Sequence, residues 1–323
     1  MFNKIYVNIK NNIKKIIPIL IFLILFIVLN IDLPYTLYMK GGMSNLSKKI
    51  SVVDENINSG EYNALYVLSS KVNVFTYLIS KFRSDMDLVY NEKDYDENFN
   101  INKLLLINSK NNALKLAYDK AGKNYKILKN NLYVFGDYGD IKSLERLEKI
   151  DGIDIDNIDT LKKSLYNKDE VELLTTYKNK TYKRKMKVKY ENNEGKLGIN
   201  LINIEDIEYS PDIKILIDDN ESGSSSGLML ALTIYDKLVD DDISNGLKII
   251  GTGSLDLEGN IKPIDGLKYK MLGLKGKKYD VFFIPYENKE EANSINKKYN
   301  LNLDFVPVKT FDEAIYYLLN VKK

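Results

Sequence analysis

Two kinds of hydrophobic pattern follow one another along the chain. An apolar run from Ile16 to Leu29 contains no charged residue and is broken only by Pro18. Short segments follow, and residues 62–69 alternate with the period of two that predicts a strand. After Gly195, buried-type strands alternate with helical segments, which is typical of a mixed sheet covered by helices. The pattern therefore predicts an α/β (α+β) fold.

The individual elements are clearest in the second half of the chain. Strands are predicted at 214–218, 247–251, 281–285 and 303–308, and helices at 227–239, 266–274, 289–299 and 311–319. Upstream, the pattern predicts helices at 74–81 and 112–121. It places the acidic, Asn- and Tyr-rich residues 84–100 in a surface loop.

Residues 144–190 follow the order strand, Asp-Gly turn, strand, helix and hairpin. This order resembles the second half of bacterial PDZ domains. Residues 147–161 resemble the GD-x-I-x-x-VDG stretch of those domains, with Glu148 and Lys149 in place of Gly-Asp. The resemblance implies a PDZ-like domain at 123–192.

Two kinds of binding site could lie in this segment: a pocket for a peptide carboxylate and a calcium loop. The peptide-carboxylate loop of PDZ domains is not recognisable near residues 127–132, which leaves open whether a tail-binding pocket works. Acidic residues alternate over 151–159, but a calcium loop needs Gly at its sixth position and Glu at its twelfth. A solvated turn explains the acidic run better.

The N-terminal apolar run predicts a membrane segment. Four lysines precede it: Lys4, Lys10, Lys14 and Lys15. The run reaches Leu33 and is 18 residues long, close to the roughly 20 that span a bilayer. The basic flank favours an N-terminus inside the cell. A cleaved signal peptide and a buried core helix are the alternatives, although residues 33–36 are too bulky for a usual cleavage site.

Composition restricts the possible chemistry. The 323 residues include no His, no Cys and no Trp. Ser-His-Asp and Cys-His nucleophiles, disulfides and His or Cys metal sites are therefore excluded. The net charge of +2 gives no indication of a nucleic-acid partner. No cofactor and no metal are predicted.

A serine-rich turn carries the clearest candidate chemistry. Gly223-Ser-Ser-Ser-Gly227 follows a strand and leads directly into a helix. Ser225 would lie at the helix N-terminus, where free N–H groups favour a developing oxyanion. Helix capping by serine is the alternative. A phosphate loop is excluded because G-x-x-x-x-G-K-[ST] is absent from the chain.

A serine nucleophile requires a base, and without histidine the candidates are Lys, Asp and Glu. Lys268 and Lys270 are two residues apart in an otherwise apolar helix, so they lie on different faces. A lysine acts as a base only if burial lowers its pKa from about 10.4 towards neutrality. Taken alone, each is more simply a solvated charge.

Three motifs resemble those of Lon-type proteases. Gly223–Gly227 resembles GPSAG, whose middle serine is the nucleophile. Thr252-Gly-Ser-Leu-Asp-Leu-Glu-Gly259 resembles TGEIxLxG, and Pro263-Ile-Asp-Gly-Leu-Lys-Tyr-Lys270 resembles PxGGxxxK, whose final lysine is catalytic. The resemblance implies Ser225 as nucleophile, Lys270 as general base and Thr252 as the residue that orients the lysine. The backbone turn for the oxyanion would be Gly223, Ser224, Ser226 and Gly227.

The sequence departs from these motifs at four positions. Ser224 and Ser226 replace Pro and Ala of GPSAG, and Ser254 replaces the Glu of TGEI. Asp265 replaces the first glycine of PxGG, and it would raise the pKa of Lys270 if it lay beside that lysine.

The resemblance extends to segments near residues 33–35, 72–78, 119–123 and 210–215. These look like the membrane-anchored, exported Lon-type proteases with an embedded PDZ domain, relatives of the bacterial pheromone-processing proteases. The implied organisation is a cytoplasmic basic tail (1–15), a transmembrane signal anchor (16–33), the N-terminal part of a Lon-type protease domain (34–122), the PDZ-like domain (123–192) and the C-terminal catalytic part (193–323).

The resulting prediction is an ATP-independent serine endopeptidase with a Ser-Lys dyad. It would be held at the bacterial cell membrane by a single pass, with its catalytic domain outside the cytoplasm. Substrates would be exported peptides or membrane-proximal regulatory proteins, with PDZ recognition of a substrate tail as a second contact. Rings are common among Lon-type domains, but nothing here indicates the oligomeric state. The alternatives are a catalytically silent, membrane-tethered binding scaffold and an assembly factor without a peptide site.

Overall fold

The computed structural model describes the backbone of residues 2–53 and 59–321 and the side chains of residues 15–53 and 59–321. The helices are α1 (Phe2–Leu29), α2 (Val74–Ser80), α3 (Tyr95–Lys120), α4 (Ile158–Leu165), α5 (Gly227–Leu238), α6 (Leu267–Leu272), α7 (Lys289–Tyr299) and α8 (Phe311–Asn320). A 3₁₀ turn at Tyr286–Asn288 precedes α7.

The strands of the first half are β1 (Asp32–Asn45), β2 (Ile50–Val52), β3 (Glu61–Asn73), β4 (Met86–Tyr90), β5 (Asn124–Phe135), β6 (Arg146–Ile150), β7 (Ile153–Asp154), β8 (Glu170–Tyr177) and β9 (Lys180–Lys187). Those of the second half are β10 (Lys189–Glu191), β11 (Glu194–Lys196), β12 (Asn200–Ser210), β13 (Ile213–Ile215), β14 (Lys248–Gly251), β15 (Ser254–Leu255), β16 (Ile261–Lys262), β17 (Val281–Pro285) and β18 (Val306–Val308). The fold is mixed α/β, as the pattern predicts.

The N-terminal helix differs from the predicted membrane segment at 16–33. Helix α1 ends at Leu29, and Asp32 and Leu33 already belong to β1. Asn30 and Asp32 interrupt the apolar run, and the chain leaves the helix there. Among the helices of the described residues, none is both long enough and apolar enough to cross a membrane. Most of the predicted basic tail lies outside the described side chains.

One six-stranded sheet joins distant parts of the chain, in the order β18-β17-β14-β3-β1-β4. Strand β14 pairs in parallel with β3 on one side and with β17 on the other. Strand β1 pairs antiparallel with β3 and β4. The sheet thus contains strands from residues 32–90 and from residues 248–308, although the domain boundaries themselves remain predictions.

Helices cover both faces of this sheet because its central strands alternate their side chains between two apolar cores. Ile249 and Phe283 pack in the core formed with α3, α5 and α8. Ile250 and Phe282 pack in the core formed with α6 and α7. Helices α5 and α6 therefore lie on opposite faces, with β14 between them.

Residues 124–210 form a second sheet, in the order β12-β5-β6-β8-β9, with β7 on β6. Its core is closed by Leu161 and Leu165 of α4. Strand β12 pairs with β5 along its length, so this sheet extends past the predicted boundary at 192. Gly195, where the change of pattern begins, lies in the short hairpin of β10 and β11.

The segment before the second sheet differs from its prediction. Residues 84–100 are not a loop, because they contain β4 and the start of α3, and the helix predicted at 112–121 begins at Tyr95. The Asp94 side chain caps it by accepting from the Asp96 N–H at 3.1 Å. Ser109 and Asn111 are buried in α3, so polar residues at interior positions hide the helical period.

A buried ion pair offers a stability test of the second sheet. The Arg184 guanidinium donates to both carboxylate oxygens of Glu145, at 2.7 and 3.1 Å, and the Glu145 side chain is 1% exposed. Arg184→Met leaves this carboxylate without its cation, and we expect the free energy of unfolding to fall by roughly 3 kcal/mol. Urea denaturation measures this change.

The matched control is Arg146→Met, because Arg146 pairs with Glu148 at 2.6 Å in a more exposed setting. That replacement should cost less than about 1 kcal/mol. Equal losses for the two variants would contradict the assigned importance of the buried pair.

Candidate active site

The serine-rich turn lies at the N-terminus of α5. Gly223 has φ of +91°, a left-handed conformation that glycine adopts without strain. Gly227 begins the helix, and a Cβ atom there would lie 2.7 Å from the Ser109 Oγ. Local geometry thus explains why glycine occupies both of these positions of the motif. Ser226 precedes the helix but makes no side-chain capping bond, so the structure does not support the capping alternative for it.

The carbonyl groups on either side of the Ser225 Cα are held by donors from other elements. The Ser225 carbonyl accepts from the Thr252 hydroxyl at 3.0 Å and from the Gly253 N–H at 2.8 Å. The Ser224 carbonyl accepts from the Ser109 hydroxyl at 2.9 Å and from the Gly227 N–H at 3.2 Å. The backbone of the candidate nucleophile is therefore fixed on both sides.

Three backbone donors remain available at this turn. Within residues 2–53 and 59–321, the N–H groups of Ser224, Ser225 and Ser226 donate to no protein acceptor. They lie at the positive end of α5, where donors and the helix dipole stabilise an anion. The turn can therefore bind a developing oxyanion.

Lys270 reaches the same place from the other face of the sheet. Its side chain is 2% exposed, because Leu267 and Met271 of α6 place this part of the helix in the apolar core. Lys270 Nζ donates to Thr252 Oγ1 at 2.8 Å. Thr252 directly follows β14 and is fully buried. Its hydroxyl thus links Lys270 to the backbone of Ser225.

Burial lowers the pKa of Lys270 from 10.5 to about 7. Desolvation is the largest cause, since the apolar core disfavours the charged form, and the carboxylates of Asp265 and Glu291 oppose it. Asp265 itself is exposed and makes no hydrogen bond to Lys270 within the described part of the chain. With Asp265 in place of the motif glycine, the pKa of Lys270 is therefore still low enough for a substantial fraction of this lysine to be neutral at pH 7.

Lys268 differs from Lys270 in both environment and charge. It is 22% exposed and pairs with Asp87 at 2.6 Å. Burial alone would lower the pKa of Lys268, but the hydrogen bond and the charge of Asp87 outweigh burial and raise it. The two lysines face different surroundings, as their spacing predicts, and only Lys270 enters the core.

The Ser225 carbonyl and the Lys270 side chain bond the same Thr252 hydroxyl, but the Ser225 and Lys270 side chains are not bonded to each other. Among the hydrogen bonds of the described residues, none joins the Ser225 hydroxyl to Lys270 Nζ. The structure brings Lys270 and Thr252 together directly and Ser225 through its carbonyl. The catalytic roles of these residues remain predictions.

Two side chains near the site carry no sequence signal. Ser109 reaches the turn from α3, 115 residues upstream of its partner. Asn288 holds the turn before α6: its Oδ1 accepts from the Ile264 N–H at 2.9 Å, and its Nδ2 donates to the Ile264 carbonyl at 3.1 Å. Neither lies in a recognisable motif. Among the described residues, no group of three or more acidic side chains could hold a metal ion.

Comparison with known families identifies the C-terminal third of the chain. Residues 212–321 match the family model of the Lon protease (S16) C-terminal proteolytic domain. The match contains the serine-rich turn, Thr252 and Lys270. It supports a Lon-type proteolytic domain, and with it a serine protease.

Curated relatives give the same result over short segments. The chain is 28% identical over 123 residues to the Lon protease of Escherichia coli K12, which is 37% of this chain and 15% of that protein. It is 30% identical over 95 residues to the Lon protease of Buchnera aphidicola subsp. Acyrthosiphon pisum, or 29% of this chain and 12% of that protein. The chain thus spans only about an eighth of the length of these relatives.

A solved structure is similar to about a quarter of the chain. It is the PDZ domain of the SdrC-like protein from Listeria monocytogenes, with 17% identity, covering 24% of this chain and 93% of that domain at a TM-score of 0.21. A TM-score this low carries no argument about the fold.

Proposed function

We propose that the protein is an ATP-independent serine endopeptidase in which Ser225 is the nucleophile and Lys270 the general base. One observation carries this proposal: a buried lysine with a pKa of about 7 shares a threonine hydroxyl with the backbone of the candidate nucleophile. Such a lysine is neutral in a useful fraction at neutral pH, which a base requires.

The proposed reaction begins with movement of the Ser225 hydroxyl towards Lys270. We expect this movement to be a rotation about the Ser225 Cα–Cβ bond, with the backbone still held beside Thr252. Neutral Lys270 takes the hydroxyl proton as Ser225 attacks the scissile carbonyl. The N–H groups of Ser225 and Ser226 bind the oxyanion.

Breakdown of the tetrahedral intermediate uses the same lysine in the opposite direction. Protonated Lys270 donates its proton to the leaving amine as the peptide bond breaks, leaving an acyl ester on Ser225. Water then attacks the ester and Lys270 takes its proton, and Lys270 returns this proton to the Ser225 oxygen as the acid product leaves. No metal or cofactor is part of this scheme.

The proposed substrates are peptides or loosely folded proteins. The 323 residues contain no phosphate-loop motif with which to couple ATP hydrolysis to unfolding. We include exported peptides and membrane-proximal regulators, and recognition of a substrate tail by the sheet of residues 124–210, as parts of the proposal that follow from the sequence resemblance.

The N-terminal helix is proposed as the attachment to a membrane, with the catalytic domain outside the cytoplasm. The large apolar side chains from Ile17 to Val28 are between 42% and 66% exposed. An exposed apolar surface of this kind is unfavourable in water and favourable in lipid. The four lysines before it support the orientation.

The test of the proposed function combines covalent labelling with peptide digestion. A fluorophosphonate reacts with activated serines, so we expect mass spectrometry to find it on Ser225 of the folded protein and not after unfolding in urea. The folded protein should also cleave flexible peptides with EDTA present and ATP absent. No label on Ser225 together with no cleavage would refute the peptidase.

Thr252→Val removes the threonine hydroxyl and keeps the volume of the side chain. The change removes the acceptor of Lys270 and one donor to the Ser225 carbonyl, while valine fills the same space. We expect kcat to fall about 10- to 100-fold, since two hydrogen bonds that position the dyad are lost. Steady-state kinetics on a peptide measure this effect.

The control for this variant is Thr233→Val, because Thr233 is also buried and its hydroxyl bonds the Met229 carbonyl at 2.6 Å within α5. Its kcat should stay within about threefold of the native value. Equal kcat for Thr252→Val and the native protein would contradict the orienting role.

A further inference from the structure

Helix α3 makes hydrogen bonds to two neighbouring residues of the serine-rich turn. The Gly223 N–H donates to the Asn102 carbonyl at 2.8 Å. The Ser109 hydroxyl donates to the Ser224 carbonyl at 2.9 Å. The first contact uses only backbone atoms, whereas the second depends on the side chain of a serine that is 2% exposed.

The Ser109 contact determines which way one peptide group faces. In a trans peptide, the carbonyl and the N–H of the same unit point in opposite directions. The Ser224 carbonyl points to Ser109 in α3, so the Ser225 N–H points away from α3. The same geometry holds for the next unit, whose carbonyl points to Thr252 and Gly253.

These two units supply the N–H groups of Ser225 and Ser226, two of the three free donors of the turn. The second unit is held by Thr252 and Gly253 from beside β14. The first is held by Ser109 and by the weaker, 3.2 Å bond from the Gly227 N–H. Ser109 is therefore the side chain on which the direction of the Ser225 N–H depends.

We infer that Ser109 is a positioning residue for the oxyanion site. It orients the Ser225 N–H through the Ser224 carbonyl and does not itself touch the substrate. The inference rests on the proposed function, because it assigns the free N–H groups to the oxyanion of peptide hydrolysis.

The glycine that begins α5 fits this role. A Cβ at position 227 would lie 2.7 Å from Ser109 Oγ and 3.2 Å from the Leu255 N atom. Any larger residue would displace the Ser109 hydroxyl from the turn. Gly227 thus provides the space through which Ser109 reaches the Ser224 carbonyl.

A buried serine also needs a hydrogen bond for stability alone, so the test must separate positioning from stability. The variant is Ser109→Ala and the matched control is Ser80→Ala. Ser80 is 7% exposed, and its hydroxyl donates to the Tyr77 carbonyl at 2.8 Å. Each variant loses one buried bond from a serine hydroxyl to a backbone carbonyl.

We expect Ser109→Ala to lower kcat about tenfold or more and to leave KM within about twofold, because binding of the ground state does not use the oxyanion site. Affinity for a peptide boronate, which forms a tetrahedral adduct on the nucleophile, should fall by the same factor as kcat/KM. The midpoint of the acid limb of activity should not move, because Ser109 does not contact Lys270. Ser80→Ala should change none of these.

A second measurement does not require activity. Amide hydrogen exchange in a peptide spanning residues 222–229 should become about fivefold faster or more in Ser109→Ala and stay unchanged in Ser80→Ala. Native kcat and boronate affinity in Ser109→Ala would overturn the inference while leaving the peptidase intact. If the native protein neither cleaves nor is labelled, the proposed function fails, and unchanged exchange in Ser109→Ala would then overturn the positioning of the turn as well.

Discussion

Replacing Ser225 with alanine should lower kcat/KM for peptide cleavage by at least about 10⁴-fold and leave the stability of the fold within about 1 kcal/mol. The reason is that the hydroxyl is the proposed nucleophile and the chain contains no histidine or cysteine that could replace it. The hydroxyl makes no hydrogen bond within the described residues, so its loss leaves no buried partner unsatisfied. Kinetics and urea denaturation of the same preparation measure both quantities.

The control is Ser222→Ala, which changes an exposed serine just before Gly223. Its activity should remain within about threefold of the native value. Ser225→Ala should also lose fluorophosphonate labelling. Cleavage that persists in Ser225→Ala at more than about 1% of the native rate would exclude this serine as the nucleophile.

Replacing Lys270 with methionine should lower the activity and, at low pH, raise the stability of the fold. Activity should fall by about 10³-fold or more, because the proposed base is lost.

In the native protein, activity should rise with pH through about 7, the pKa of Lys270, since the neutral amine is the active form. An activity that is flat between pH 5.5 and 8.5 would contradict a titrating lysine.

Stability should change in the other direction. In the unfolded chain Lys270 has a pKa of 10.5, and in the folded protein about 7. Between these two values the unfolded chain binds a proton that the folded chain does not, so the free energy of unfolding of the native protein rises with pH. Below pH 7 both states are protonated, and the folded state carries the full cost of a buried charge, roughly 5 kcal/mol at about 1.36 kcal/mol per pKa unit.

Methionine removes that cost and fills most of the space, while leaving the Thr252 hydroxyl without its donor. We therefore expect Lys270→Met to be more stable than the native protein by roughly 2–4 kcal/mol at pH 6, with the advantage disappearing as the pH approaches 10.5. Urea denaturation at a series of pH values between 6 and 10 measures this difference. A methionine variant that is less stable at pH 6 would contradict a desolvated lysine.

Lys268→Met is the control because it lies two residues away on the same helix. Lys268 is partly exposed and pairs with Asp87, so its loss should cost up to about 1 kcal/mol and bring no gain at low pH. Its activity should stay within about threefold of the native value.

The order of elements in the last hundred residues could be predicted from the hydrophobic pattern. The bounds of β17 and α7 agree residue for residue with the prediction, because strongly periodic segments are flanked there by clear breaks. Helix α3 could not be predicted in full. Its interior includes polar residues such as Ser109, and their burial depends on a partner far away in the sequence.

The proximity of Thr252 and Lys270 could be anticipated only from the resemblance to Lon-type motifs. Spacing within α6 shows that Lys268 and Lys270 face different ways, but it does not show which of them is buried. The packing of α6 against the sheet makes that choice. Asn288, which fixes the backbone before α6, has no motif to reveal it.

The sequence by itself determined the chemistry that was possible: without histidine or cysteine, a serine nucleophile in this chain has only lysine or a carboxylate as its base. It also determined the local structure of the turn, because Gly223 and Gly227 allow a conformation and a close contact that larger residues would prevent. Tertiary structure decided the rest. Helices α5 and α6 pack on opposite faces of one sheet, and Thr252 at the end of β14 lies between Lys270 and the backbone of Ser225. Packing of α6 against that sheet buries Lys270 and lowers its pKa, which no local pattern predicts. The distant helix α3 brings Ser109 to the turn.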